Sequence, residues 1–148
     1  MKKGIISLGE ALIDFIPVDS DNLIYQKSPG GAPANVAVGL ARLGAQSAFL
    51  GKVGNDVLGT FLKDTLEAFQ VNTEHMMLTE EARTGAVFVT LAANGERSFD
   101  FYIDPSADRF LTSDELNESL FENSKILHYG SISMISEPSR SATIKAVE

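Results

Sequence analysis

Gly30-Gly31-Ala32-Pro33-Ala34-Asn35 joins paired glycines to an apolar helical stretch whose first turn carries a single carboxamide. Glycine reaches φ > 0 and leaves bare main chain for a ligand to lie against. Pro33 suits an early helical position, where a missing N–H costs nothing. The helix start then turns its unpaired N–H groups toward whatever lies over the glycines. Asn35 offers both a donor and an acceptor, a better match to a hydroxyl than a lone charge. A second polar group, Asp14, closes the run Gly9-Glu10-Ala11-Leu12-Ile13-Asp14 just after an apolar, strand-like segment. α/β sheets hold ligands at that carboxyl edge, and a carboxylate there accepts two hydroxyl hydrogens in a near-bidentate way. Taken singly, Gly-Gly is also a tight turn and Asp14 also a solvated turn aspartate. The surrounding elements decide between these readings.

Those elements alternate. After Asn35, Val36, Leu40 and Leu43 recur at helical spacing with Ala37, Gly39 and Ala41 between them, and Gly44 ends the helix. A strand at 47–50 follows. Asn55-Asp56 then caps a helix that buries Leu58, Phe61, Leu62, Leu66 and Phe69. Upstream, 3–8 reads as a strand, 11–18 as an alternating one, and 23–26 as a short third strand beyond the turn at 19–22. Residues 71–78 return toward the sheet. The β-branched run 84–92 meets Asn94-Gly95 and comes back as 97–103, a strong hairpin signal. Thr112-Ser113-Asp114-Glu115 is a capping box for a helix carrying Leu116, Leu120 and Phe121. A strand at 125–129 and a helix from 136 onward complete the order, which predicts an α/β fold with a mostly parallel sheet. The strand pairs around Asp19 and Asn94 break that rhythm; they form either a separate small sheet or an antiparallel edge of the main one.

Composition narrows the class. Lys and Arg number 12 against 20 Asp and Glu, a formal net charge of −8 that speaks against a nucleic-acid surface. Cysteine and tryptophan are absent, so no disulfide scaffold is indicated. Gly9, Glu10 and Asp14 interrupt the apolar stretch behind Met1-Lys2-Lys3 too early for a signal peptide or a membrane span. These features predict a soluble, cytoplasmic chain without membrane or nucleic-acid partners. The helix at 136–148 has no glycine or proline after it, which reads as a piece of a longer protein. His75 and His128 stand alone and read as structural. Gly51-Lys52-Val53-Gly54-Asn55-Asp56 is too short for a phosphate-binding P-loop and lacks its closing Lys-Ser/Thr. Asp56 and Gly59 read instead as loop and cap support.

The run Gly-Gly-x-x-x-Asn-x-Ala from Gly30, with Gly44 and Gly54 at their set distances, closely resembles the first signature of the ribokinase-type (PfkB) sugar kinases. The resemblance runs from Gly4 almost to Glu148 and covers about the first half of such a protein. It implies a ribokinase-like fold whose small β-sheet, here strands at about 15–27 and 84–103, forms a lid over the sugar, commonly packed against a second subunit's lid. It also implies that Asp14, Gly30, Gly31 and Asn35 bind sugar hydroxyls. Phe99 and Phe101, pointing the same way on a strand, would cover the sugar's ring face or pack on a neighbour. Gly9 to Phe15, Gly95 to Tyr102 and Pro105-Ser106-Ala107-Asp108 look most like fructokinases, whose usual product is fructose 6-phosphate. Ile103 departs from the arginine that many relatives carry after the aromatic pair, which disfavours an acidic sugar. ATP with magnesium is the implied phosphoryl donor, with monovalent-cation dependence left open. The catalytic base and ATP pocket are expected beyond Glu148, so this segment alone is expected to be inactive.

Three other readings stand beside this one. The same family includes ribose, ketodeoxygluconate and nucleoside kinases. A non-catalytic sugar-binding module would keep Gly31 and Asn35 without transfer. A dinucleotide-binding domain fits poorly, because Gly30-Gly31 lacks the Gly-x-Gly-x-x-Gly spacing and no strand is predicted immediately before it.

Overall fold

Ile5–Leu8 (β1), apolar but for Ser7, is largely buried because it lies between two parallel neighbours. In this computed structural model, which describes residues 4–148, β1 pairs with Ser47–Gly54 (β4) on one side and Ile126–Tyr129 (β8) on the other. Met76–Thr79 (β5) extends β4, giving a four-stranded parallel sheet in the order β5-β4-β1-β8. The sequence-predicted first strand includes Lys3, which lies outside the described residues. Ala32–Arg42 (α1) and Val57–Ala68 (α2) cover one face through Ala34, Ala37, Phe49, Leu62 and Leu66. The other face packs Ile6, Leu8, Leu50, Leu111 and Ala142 beneath Glu118–Glu122 (α3) and Ser139–Val147 (α4). Each large aliphatic side chain buried in these layers contributes about 1.5–3 kcal/mol.

Four further strands form a separate second sheet, not an edge of the first. Leu12–Pro17 (β2) pairs antiparallel with Tyr25–Gly30 (β3) and parallel with Gly85–Leu91 (β6); Arg97–Phe101 (β7) closes the hairpin with β6. The order is β3-β2-β6-β7. Gly95 has φ 83°, as the Asn-Gly turn demands, and its N–H bonds to Ala92 O. One face carries an aromatic row: Phe15 stacks on Phe88 at 4.9 Å, and Tyr25 and Tyr102 meet Phe88 edge-on at 5.3 and 5.6 Å. Lys27 Nζ sits 3.8 Å above the Phe61 ring, tying β3 to α2.

Three local expectations are corrected. The strand predicted at 23–26 is β3 at Tyr25–Gly30, which runs directly into the glycine pair. Its Lys-Ser-Pro-Gly ending looks like a turn, but β3 is an edge strand, where Pro29 loses no ladder bond. The objection that no strand precedes Gly30-Gly31 therefore falls, although the spacing objection to a dinucleotide site stands. In α1 the buried residues are Pro33, Ala34 and Ala37; Val36 and Leu40 are only half-buried and Leu43 is 86% exposed. Small side chains let the helix approach β1 and β4 closely. The helix predicted behind the capping box breaks in two. Thr112 and Glu115 cap a 3-10 turn, and Asn117 then starts α3 by accepting the Ser119 N–H at 3.0 Å.

Candidate functional site

The glycine turn is held where three strand ends converge. Gly31 is the N-cap of α1 with φ 100°, a conformation favouring glycine. A Cβ on Gly31 would overlap Glu10 O and lie 3.0 Å from Ala11 Cα, so the turn is seated on the backbone that leaves β1. Pro33, in the first helical turn, wedges between the ends of β1 and β8: Cβ atoms on Gly9 and Gly130 would come within 2.6 and 2.7 Å of its ring. Gly31 has no side chain to cap the helix, and Glu10 takes over that task. Its Oε1 accepts the Ala32 N–H at 3.2 Å, while Oε2 has no partner among the described residues. Glu10 is 3% exposed, and burial pushes its carboxyl above the ordinary range against the pull of the Glu10 and Ala32 backbone N–H groups.

Asp14 and Gly30 come together across the second sheet. Leu12 pairs with Gly30 and Asp14 with Ser28, so residues 12, 14, 28 and 30 share one face. The Asp14 carboxylate lies against the bare Gly30 Cα; a Cβ there would meet Oδ2 and sit 2.8 Å from Cγ. Asp14 is half-buried, and that burial raises its pKa. Asn35 lies one turn into α1, exposed, with its N–H on Gly31 O at 2.9 Å. The structure thus groups Asp14, Gly30, Gly31 and Asn35 around one turn, an arrangement able to offer a carboxylate, a carboxamide and helix-start N–H groups to hydroxyls.

The same sheet face continues into a cleft of about 200 Å³. Leu12, Phe101, Ile132 and Ile135 give it apolar walls; Ser106, Asp108 and Arg109 give it polar ones. Phe101, opposite Val87, lines this cleft. Phe99 faces the same way but stands opposite Val89, one step nearer the hairpin tip, and is 59% exposed. Asp108 and Arg109 had no assigned role in the sequence, although Pro105-Ser106-Ala107-Asp108 stood out as part of a family pattern. Asp108 is 7% exposed; burial raises its carboxyl, opposed by the Ser106 hydroxyl that donates to Oδ1.

A fourth carboxylate braces the elements that carry the site. Asp56, the N-cap of α2, accepts the Leu58 and Gly59 N–H groups at 3.0 and 2.9 Å, and the Thr84 N–H and hydroxyl at 2.9 and 2.8 Å. Burial works upward on its pKa, but the bonds from Thr84, Gly59 and Leu58 hold it below the ordinary value. Asp56 therefore fastens the end of β4 to the start of β6. Lys52 is equally occupied: 5% exposed, it lies 2.6 Å from Glu115 Oε1 and donates to Phe110 O at 3.0 Å. Its charge is taken up within the fold by these two contacts. Among the described residues no group of three His, Cys, Asp or Glu is arranged for a metal ion, and no helix is long and apolar enough to cross a membrane.

Residues 2–148 match the model of the pfkB family carbohydrate kinases. The chain is 50% identical over 149 residues to a fructokinase of Solanum tuberosum, covering 97% of this chain and 47% of that protein. It resembles the fructokinase from Vibrio cholerae O395 in its fructose, ADP and calcium ion bound form, at TM-score 0.86 and 42% identity, covering 98% of this chain and 46% of the other. The fructokinase with bound ATP from Xylella fastidiosa gives TM-score 0.90 and 37% identity, covering 99% and 46%. The chain spans about half the length of the curated relatives it matches. With a ribokinase-like α/β sheet and a family match across residues 2–148, the chain belongs to the pfkB family of carbohydrate kinases.

Proposed function

We propose that the whole protein is an ATP-dependent sugar kinase that converts fructose to fructose 6-phosphate. The observation that carries this reading is the Asp14 carboxylate laid over Gly30 beside the start of α1, in a chain about 50% identical to fructokinases. In this proposal Asp14 and Asn35 fix the sugar by its secondary hydroxyls, and the N–H groups at the start of α1 add donors. Fixing the ring presents the primary hydroxyl to the γ-phosphoryl group, replacing a bimolecular encounter by a positioned one. Phe101 covers part of the ring. The second sheet acts as a lid that keeps water from competing for the phosphoryl group.

The base, the ATP pocket and magnesium belong, in this proposal, to residues beyond Glu148. Lys52 and Asp56 are committed to internal contacts and provide none of these functions. The segment alone is accordingly expected to phosphorylate nothing. A homodimer through the lids is part of the same proposal. It is supported by the exposed apolar residues Val18, Leu23, Ile24 and Tyr102 on the second sheet and its turn. A cytoplasmic location completes it. The test is ATP-dependent phosphorylation by the full-length gene product across fructose, ribose, ketodeoxygluconate and fructose 6-phosphate. Turnover led by fructose is expected; turnover on another sugar alone keeps the family and discards the substrate.

A further inference from the structure

We propose that Asp108 and Arg109 form a second polar wall of the sugar site, reading the hydroxyls of a neutral monosaccharide and turning away sugar acids. Ser106, Asp108 and Arg109 line the cleft that adjoins the Asp14–Gly30 contact through Leu12, the residue paired with both Gly30 and Gly85. Asp108 is 93% buried by its 7% exposure, yet it is not matched by a cation at hydrogen-bond distance. The Ser106 hydroxyl donates to Oδ1 and the residue's own backbone N–H also bonds the carboxylate, which still leaves acceptor lone pairs for a ligand hydroxyl. Beside it the Arg109 Nε–H is buried without a partner among the described residues, a costly state that a ligand hydroxyl oxygen would relieve.

Arg109 supplies the complementary donors. Its Nη2 donates to Ser136 Oγ at 2.6 Å, which fixes the guanidinium plane against the loop before α4. Its Nη1 has only the 65%-exposed Asp104 at 3.8 Å, too far for a hydrogen bond. The pair thus offers one acceptor and one donor edge. Its charge balance selects the ligand: two carboxylates, Asp104 and Asp108, face one guanidinium. A sugar carboxylate entering here would meet net negative charge, whereas neutral hydroxyls can both donate to Asp108 and accept from Arg109. The volume of about 200 Å³ suits a single monosaccharide.

This inference rests on the sugar-kinase reading and deepens it. The test uses the full-length gene product and its Asp108→Asn, Arg109→Met and Arg109→Lys variants, with KM for fructose, KM for ATP, and melting temperature with and without fructose. Asp108→Asn and Arg109→Met are expected to raise the fructose KM roughly ten- to hundredfold with the ATP KM unchanged. Arg109→Lys, which keeps the charge and loses the fork, is expected to recover part of that loss. Wild-type kcat/KM for fructose is expected to exceed that for ketodeoxygluconate at least tenfold. An unchanged fructose KM in folded Asp108→Asn and Arg109→Met overturns the wall, as does a wild-type preference for the sugar acid. If Asp108→Asn does not fold, the Arg109 pair decides alone. If wild type phosphorylates no sugar, the kinase reading falls, and the fructose-dependent melting shift, lost or kept in the Arg109 variants, still judges the wall.

Discussion

Replacing Gly30 and Gly31 one at a time by alanine separates sugar binding from folding, because the two added methyl groups meet different kinds of atom. At Gly30 the new Cβ would run into the Asp14 carboxylate, 2.8 Å from Cγ. Asp14 is a half-buried side chain and can rotate away, and alanine also restricts the unfolded chain, so the stability cost is within about 1 kcal/mol. The displaced carboxylate then fails to meet the sugar. Charge-assisted hydrogen bonds of that kind are worth about 1.5–3 kcal/mol, a roughly 10- to 150-fold rise in sugar KM. At Gly31 the Cβ meets the Glu10 carbonyl and Ala11 Cα, which cannot move without shifting the strand exit, and φ is 100°. Left-handed strain of about 1–2 kcal/mol and overpacking of about 1–3 kcal/mol add there. Gly31→Ala is therefore expected to lower the melting temperature of the full-length protein by several degrees as well as its sugar affinity. Steady-state kinetics and thermal melts on both variants read the difference. A Gly30→Ala protein with unaltered sugar KM would refute the role given to Asp14.

Other expectations follow from the same contacts. Asp56→Ala removes an N-cap and leaves the Thr84 N–H unpaired, at a cost of about 2–4 kcal/mol by denaturant titration, with the sugar KM changed less than the stability. The carboxyls of Glu10, Asp14 and Asp108 are raised above their ordinary values, chiefly by burial. Between each ordinary value and its raised one the folded protein binds more protons than the unfolded chain, so stability falls as pH rises through that window. Asp56 and Glu115 are lowered and act oppositely, their stabilisation disappearing as pH falls below the ordinary carboxylate values of 3.8 and 4.5. Glu10→Gln is therefore expected to flatten the fall in stability that sets in as pH rises above the ordinary glutamate value of 4.5, read from denaturation curves. An unchanged slope in that variant would mean that folding does not raise the Glu10 carboxyl. Sedimentation of the full-length protein with Leu23→Asp and Ile24→Asp tests the lid dimer, with monomers the expected product.

Much of this site was legible in the sequence, and what was not has physical causes. Gly30, Gly31, Asn35 and Asp14 were readable because glycine before a proline-initiated helix and a carboxylate at a strand exit are local signals. The Asp56 cap and the Asn94-Gly95 hairpin were readable for the same reason. β3 was misplaced because Pro29 and Gly30 resemble a turn until the edge position of the strand is known. The buried side of α1 was misjudged because close packing on β1 and β4 selects alanines over the larger Val36, Leu40 and Leu43. Glu10 and Asp108 lay in stretches that stood out, yet nothing local assigned a role to them or to Arg109. Glu10 caps a helix 22 residues away, and the other two reach the cleft only through tertiary folding.

The measurement that bears most directly on the account is fructose binding by the full-length gene product and its isosteric Asp14→Asn variant, followed by titration calorimetry. Binding by wild type that weakens at least tenfold in Asp14→Asn, with melting temperature preserved, is the predicted result. Equal fructose affinity in the two proteins would contradict it.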